Sequence, residues 1–324
     1  MSENEQKNIL VTGGAGFIGS HLSRYLANQG HKVTILDNFT TGDLRNIWDM
    51  LSHNQVKLIK GDIRDSRLLT DITTKTDIIF HLAAQIHVDK SVLEPIETFD
   101  INATGTLKIL ELAMKRDFER IIYASTSEVY GSAMTDKINE DHPTNSQSPY
   151  AASKLAADRL CYSYAKSYDM DIAVIRNFNT YGPHQKDSGY GAVIPLFIKR
   201  VLANKPPVIY GTGEQSRDFM YIEDAIKAYS LTLDSNKTNG KVINFGSGKD
   251  ISIKDLAYKI IEICGSDLEP VFVEQRPGEV QKLCADITKA KEILGFNPEF
   301  DIEKGLQAYI DWFKKYKFDE WKIE

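Results

Sequence analysis

Short apolar runs rich in Ile, Val and Leu alternate along the chain with longer segments of helical period. NILVTG (8–13), KVTILD (32–37), VKLIKGD (56–62), DIIFHLA (77–83), RIIYAS (120–125) and DIAVIRNF (171–178) read as strands. Residues 17–29, 97–116 and 148–168 carry helical spacing between them. Continuous apolar strands joined by helical crossovers predict a parallel sheet covered on both faces, a doubly wound α/β fold. After about residue 178 the pattern loosens. Gly and Pro punctuate NTYGPHQKDSGYG, NKPPVIYGTGEQ and EQRPGEV, while VINFGSG and residues 252–264 still alternate strand and helix. The expectation is a main domain over 1–178. Residues 179–324 then form mainly a smaller α/β lobe over the sheet's C-terminal edge, with some segments returning to the main sheet.

Composition narrows the class without changing the fold. The chain has 324 residues, 42% hydrophobic and 26% charged, enough to bury a large core without disulfides or metals. A net charge of -6 argues against nucleic acid as a partner. The 3 cysteines, Cys161, Cys264 and Cys284, have no CxxC spacing and are odd in number, so reduced thiols are expected and no metal site. MSENEQKN fits no signal peptide and no apolar run approaches membrane-spanning length. A cytoplasmic protein with no membrane partner is expected.

The first chemistry is in VTGGAGFIGSH (11–21). Gly13, Gly16 and Gly19 recur every third residue directly after a strand and at the start of a helix. Glycines there permit a tight turn and close backbone approach, and the helix N-terminus offers free N–H groups to a pyrophosphate. Strand, glycine turn and helix together turn a weak pattern into a dinucleotide site on a Rossmann-type doubly wound parallel sheet. Asp37 ends the next strand, 18 residues after Gly19. A carboxylate there accepts from both ribose hydroxyls and repels a 2′-phosphate, so NAD is favoured over NADP. Asp62, ending the third strand, is a candidate for the adenine edge.

YAASK places Tyr150 and Lys154 at i and i+4, on one helix face. A nearby ammonium favours a phenolate, so Tyr150 can serve as a base. The same spacing occurs by chance on surface helices, so it gains its meaning from the company it keeps. GGAGFIGSH, LDNFTTG, GDIRD, HLAAQIHVDKS, INATGTLKILE, STSEVYG, SPYAASK, RNFNTYGP, GTGEQSRDFMYIEDA and RPGE occur in one order over nearly the whole chain. With them the chain resembles the extended short-chain dehydrogenase/reductase family, in its nucleotide-sugar epimerase and dehydratase group.

That resemblance implies a bound NAD recycled in each turnover. Its expected partners here are Gly13, Gly16, Phe17, Ile18, Gly19, Asp37, Asn38, Asp62, Ile63, Leu82, Ala83, Ala84, Tyr150 and Lys154. It also implies a nucleoside-diphosphate sugar in the C-terminal lobe. Asn179, Arg217 and Arg276 would meet the diphosphate, and Glu279 the nucleotide ribose. Guanidinium forks suit phosphate oxygens, although a surface salt bridge is the plainer use of either arginine alone. Tyr210 would lie against the base unless it is a core aromatic. His87 is a further substrate-side candidate, while packing or a local hydrogen bond accounts for His21 and His81. A homodimer built on the helices 97–116 and 148–168 is implied as well.

Residues 126–128 select among three reactions. All begin with Tyr150 removing the 4-hydroxyl proton, Thr126 bonding the 4-oxygen and C4 giving its hydride to NAD. A 4-epimerase needs nothing more. A 4,6-dehydratase needs a base for C5, and Glu128 is the right residue type. Dehydratases of thymidine-diphosphate glucose carry Thr-Asp-Glu here, with the Asp as acid, whereas this chain has Thr126-Ser127-Glu128. That triplet resembles GDP-mannose dehydratases, although Asp37 and the GGAGFIGSH loop do not. UDP-glucuronic acid decarboxylases also carry Thr-Ser-Glu. HLAAQIHVDKS is closer to the dehydratases. The expectation is therefore a 4,6-dehydratase giving a 4-keto-6-deoxy sugar, ahead of a 4-epimerase and then a decarboxylase. A catalytically inert NAD-binding sensor is opposed by the intact Thr126, Tyr150 and Lys154.

Overall fold

A computed structural model describes residues 5–116, 118–187, 192–233, 235–275 and 280–316. The strands are β1 (Asn8–Thr12), β2 (Lys32–Asp37), β3 (Val56–Lys60), β4 (Ile78–His81), β5 (Arg120–Thr126), β6 (Ile172–Asn177) and β7 (Asn179–Tyr181). They continue with β8 (Val208–Tyr210), β9 (Ser216–Tyr221), β10 (Val242–Phe245), β11 (Asp250–Ser252), β12 (Val271–Val273) and β13 (Lys282–Leu283). Seven of them form one sheet in the order β10-β6-β5-β4-β1-β2-β3. Every neighbouring pair in it is parallel. This is the doubly wound Rossmann-type sheet that the apolar runs predict. Its outermost strand, β10, comes from VINFGSG and pairs with β6 in the register Val242↔Val174.

Two apolar layers flank the sheet. Val11, Phe80, Ile122 and Ala124 face the helices Phe17–Asn28 and Ile222–Leu233. Leu10, Ile79, Ile121 and Tyr123 face the helices Gly105–Ala113 and Pro149–Tyr168. The side-chain period of 2 along β5 sends Ile122 and Tyr123 to opposite layers. The smaller lobe holds a four-stranded sheet of β11, β9, β13 and β7, and a two-stranded ribbon of β8 and β12.

The helix Pro149–Tyr168 has clear local punctuation. Ser148 caps it by accepting from the Ala151 N–H at 3.1 Å, Pro149 occupies the first turn, and Asp169 ends it at φ 53. The stretch 97–116, expected as one helix, is a helix Pro95–Phe99, a π turn Asp100–Thr104 and a helix Gly105–Ala113. A π turn holds one more residue than an α turn. The Asn102 side chain thereby meets the main chain of Gln85, with Oδ1 accepting from its N–H at 2.8 Å and Nδ2 donating to its carbonyl at 3.0 Å.

Beneath the end of β5 lies a buried ion pair. Arg176 donates from Nε to Asp158 Oδ2 at 2.9 Å and from a terminal nitrogen to Oδ1 at 3.1 Å. Ser125 Oγ donates to the same Oδ2 at 2.9 Å. The Arg176 guanidinium sits 4.7 Å from the centre of the Tyr130 ring, and the Tyr130 hydroxyl donates to Asn244 Oδ1 at 2.7 Å. One network thus joins β5, the turn after it, the helix Pro149–Tyr168, β6 and β10. Removing one partner of a buried pair is costly because the other charge stays desolvated. Arg176→Met is expected to destabilise the fold by about 3 kcal/mol, the low end of the range, because Arg159 still meets Asp158. The double variant Asp158→Leu/Arg176→Met should recover most of that loss in urea unfolding.

Candidate active site

The sheet order reverses between β4 and β1, so a crevice opens at the carboxyl ends of these strands. The glycine turn lies there. Gly13 takes φ 71, and a Cβ on it would come within 2.8 Å of the Ala83 nitrogen. A Cβ on Gly19 would stand 2.2 Å from the Gly13 carbonyl oxygen. Larger residues at either place would push β4, the turn and the first helix apart. Gly16 caps the helix Phe17–Asn28 with no side chain, and no acidic residue lies in its first turn. The N–H groups of Phe17, Ile18 and Gly19 therefore present the positive end of the helix to the crevice.

Asp37 accepts from the Ala15 N–H at 2.9 Å and the Phe39 N–H at 2.8 Å. Burial pushes its carboxyl up, against those two bonds. This carboxylate beside an uncapped helix end fits a dinucleotide's ribose and pyrophosphate. Asn38 donates to Asp62 at 3.2 Å. Asp62 also receives Arg64 at 2.9 Å, and chiefly that bond draws it down to about 2. Both Asp62 oxygens are already engaged by Arg64, so its side chain is committed locally. Ile63 is buried behind it. Leu82 donates its N–H to the Thr12 carbonyl at 3.1 Å, and the Ala83 N–H reaches Thr12 Oγ1 at 3.2 Å. This places the chain through Ala84 along the glycine turn.

His81 and His21 serve packing and hydrogen bonding. His81 Nδ1 lies 2.7 Å from Thr12 Oγ1 and its Nε2 lies 3.0 Å from Thr106 Oγ1. Thr106 spends its own proton on the Asn102 carbonyl at 2.6 Å, so His81 donates from Nε2 and accepts at Nδ1. His21 Nε2 meets the Pro183 carbonyl at 2.9 Å, and burial lowers this ring to about 4.

The other half of the site gathers at the end of β5. Thr126 accepts from the Glu128 N–H at 3.2 Å and opens the turn Ser127–Tyr130. Its hydroxyl also favours the ionised form of Tyr150, against burial. Burial raises Tyr150, and the Glu128 carboxylate raises it further. Lys154 donates to the Ala124 carbonyl at 2.6 Å, and burial lowers it to about 8. Glu128 is pushed up by burial and held down by Arg217, which reaches it from β9. Thr126, Glu128, Tyr150 and Arg217 therefore share one electrostatic pocket, with Lys154 one helical turn behind. Ser127 is buried at 1% exposure while its neighbours Thr126 and Glu128 remain partly open.

Several supporting residues carry no signal in isolated sequence spacing. Ser91 Oγ accepts from the Tyr150 N–H at 3.0 Å, and Ser153 Oγ donates to the Tyr150 carbonyl at 2.7 Å. Asn102 Nδ2 reaches Ser153 at 2.9 Å, and Gln85 Nε2 reaches the His87 carbonyl at 3.0 Å. They lie within HLAAQIHVDKS, INATG and SPYAASK, motifs visible in the sequence whose contacts were not. His87 is tied through its main chain, its N–H donating to Gln85 Oε1. Asn179, on β7, has a buried Nδ2 with no partner. An amide donor held dry and unspent is suited to an acceptor-rich ligand such as a diphosphate. Tyr210 ends β8 at 37% exposure. Arg276 and Glu279 lie outside the described residues. Among the described residues no cluster of His, Cys, Asp or Glu can hold a metal, and no helix is long and apolar enough to cross a membrane.

The His81 geometry has a pH consequence. Burial holds His81 at about 3, below its ordinary 6.5, so between those values the unfolded chain binds a proton that the folded one refuses. Stability from this group is full above 6.5 and is lost as the pH falls toward 3. From pH 7 to pH 5, His81→Gln should lose about 2 kcal/mol less than the parent chain, read by denaturant unfolding.

Known proteins resemble the chain over nearly its whole length. The family model described as GDP-mannose 4,6 dehydratase matches residues 10–309. A putative UDP-glucose 4-epimerase of Methanocaldococcus jannaschii is 39% identical over 308 residues, 94% of this chain and 98% of that one. UDP-glucuronic acid decarboxylase 1 of Xenopus tropicalis is 36% identical, covering 97% of this chain and 74% of its own. A dTDP-glucose 4,6-dehydratase from Streptomyces venezuelae, solved with NAD bound, superposes with a TM-score of 0.90. It is 30% identical over 96% of this chain and 98% of that one.

Proposed function

Because the chain belongs to the nucleotide-sugar epimerase and dehydratase group of the extended short-chain dehydrogenases/reductases, enzymes that use NAD, we propose that it is a nucleotide-hexose 4,6-dehydratase. The observation that carries this reading is Glu128, a carboxyl raised by burial in the same pocket as Thr126 and Tyr150. An epimerase has no task for such a group. Bound NAD supplies the acceptor and later the donor of hydride, together with a positively charged ring. The glycine turn of Gly13, Gly16 and Gly19, the N–H groups after it and the Asp37 carboxylate hold it.

Tyr150 is the first base. Burial and Glu128 oppose its ionisation, so it needs a positive neighbour, which the Lys154 ammonium behind it would provide, together with the charge that bound NAD would bring. It takes the proton of the 4-hydroxyl while Thr126 holds the 4-oxygen, and C4 becomes a ketone. The ketone acidifies C5, and Glu128 takes that proton. The C5–C6 double bond forms as the C6–O bond breaks, and the hydroxyl leaves with a proton as water. Ser127 faces the interior, so a neighbouring carboxylic acid is absent from its place. Glu128, protonated by C5 and stabilised in that form by burial, is the proton donor to the departing hydroxyl. The hydride would return from NAD to C6, and Glu128, reprotonated from solvent, would give the proton to C5 while Tyr150 releases to solvent the one it took.

The Asn179 amide and the Arg217 guanidinium are assigned to the diphosphate, with Tyr210 toward the base. Arg217 is within electrostatic reach of Glu128, so it links diphosphate binding to the carboxyl that does the chemistry. A decarboxylase also needs a cation near C6, which keeps a UDP-hexuronic acid in the test. A screen of UDP-, GDP- and dTDP-hexoses should give a product one water lighter than one of them. Unchanged mass identifies an epimerase, and loss of carbon dioxide from a uronic acid a decarboxylase. With the active hexose, Glu128→Gln should still reduce bound NAD, seen as nicotinamide absorbance, yet lose water at least 100-fold more slowly, within the ~10²–10⁴-fold scale of general acid–base catalysis.

The apolar side chains Leu93 and Ile96 stand 75% and 85% exposed, with Val92 and Phe99 beside them. A groove lined by Phe99, Ala103, Leu107, Ala156 and Leu160 continues from them between the Asp100–Ala113 segment and the helix Pro149–Tyr168. Such a patch supports a homodimer formed by these helices. Light scattering should find twice the chain mass, and Ile96→Glu should give a folded monomer.

A further inference from the structure

In the apolar layer under the helix Pro149–Tyr168, Tyr123 is the one aromatic among the described, buried hydrophobic residues, and the buried His81 ring lies 5.5 Å from it. The Tyr123 ring lies directly under the buried ammonium. Lys154 Nζ is 4.4 Å from the ring centre, and its one hydrogen bond given by the geometry goes to the Ala124 carbonyl at 2.6 Å. Lys154 is 4% exposed and Tyr123 is 1% exposed, so water does not compete for this contact. The Tyr123 hydroxyl faces Thr106, whose interaction with it opposes the upward push of burial. Tyr123→Phe removes that hydroxyl and keeps the ring, so it separates the two parts of the side chain.

We propose that Tyr123 is a positioning residue: its ring face holds the Lys154 ammonium charged and in place behind Tyr150. An ammonium over a desolvated ring is attracted by the negative face of the π system. This inference rests on reading Lys154 as the site's ammonium, but not on which sugar is turned over.

Other groups face the same ammonium. Tyr150, Asp158 and Cys161 lie on its own helix, His81 on β4 is within its field, and Arg176 on β6 neutralises Asp158. Glu128 acts on Tyr150 from the turn. None of them is altered by exchanging one apolar side chain for another at 123, so Phe and Leu there differ in the ring alone.

The sign follows from linkage. Lys154 sits at about 8 in the fold against an ordinary 10.5, so the unfolded chain holds a proton between these values that the folded chain has released. Stability from this group therefore rises with pH across that window. Losing the ring disfavours the ammonium further, so the rise must begin at a lower pH.

The test is the pH dependence of unfolding of the full chain from pH 6 to 10, without substrate. Tyr123→Phe should keep the parent's onset, while Tyr123→Leu should move it down by about one unit, a tenfold change in proton affinity. In a Lys154→Met background the Phe and Leu forms should have the same pH dependence. If the Leu chain does not fold, Tyr123→Met replaces it with a flexible filler of similar bulk and the same expected shift. Equal onsets for the Phe form and the ring-free form, or a difference that persists without Lys154, would overturn the proposal. A failed sugar screen would leave this outcome unaffected.

Discussion

The buried pair of Asp158 and Arg176 is the constraint on which the rest of the structure leans. A carboxylate and a guanidinium out of water tolerate little displacement, because each hydrogen bond lost leaves a charge uncompensated. Here the carboxylate belongs to the helix that carries Tyr150 and Lys154, and the guanidinium to β6. Ser125 joins from β5 immediately before Thr126, and Tyr130 closes the turn that holds Glu128. Thr126, Glu128, Tyr150 and Lys154 are therefore attached at both ends to one buried polar network. Their separation is set by that network more than by contacts with one another.

Low dielectric then sets their chemistry. Burial lowers Lys154, raises Tyr150 and raises Glu128, so each charged form is held back until an opposite or complementary charge arrives. Glu128 is shifted toward its protonated form by burial, with Arg217 opposing. Arg217 opposes burial at Glu128 and belongs to the smaller lobe. The strand that carries Arg217 and the turn that carries Glu128 are coupled through that electrostatic contact.

Much of the fold was legible because its signals are local. Each apolar run of the main sheet stands alone as a strand, and Gly13, Gly16 and Gly19 announce their turn within 7 residues. Tyr150 and Lys154 fall on one helix face by spacing. The π turn at 100–104 was not legible, because its cause is the distant main chain of Gln85. The same holds for Asp158 and Arg176, 18 positions apart and meeting only once strand and helix pack. Nor were the bonds legible that Arg64 makes to both oxygens of Asp62, the candidate for the adenine edge. Residue type at 127 and 128 posed the question of reaction. Only burial separates them, turning Ser127 inward and leaving Glu128 at the pocket.

The central claim is that Glu128 exchanges the C5 proton of a 4-ketosugar. Turnover in deuterium oxide tests it most directly. The account predicts one solvent deuterium at C5 of the product, located by nuclear magnetic resonance, and a product that forms ~100-fold or more slowly with Glu128→Gln. A product whose C5 hydrogen comes entirely from the substrate would contradict it.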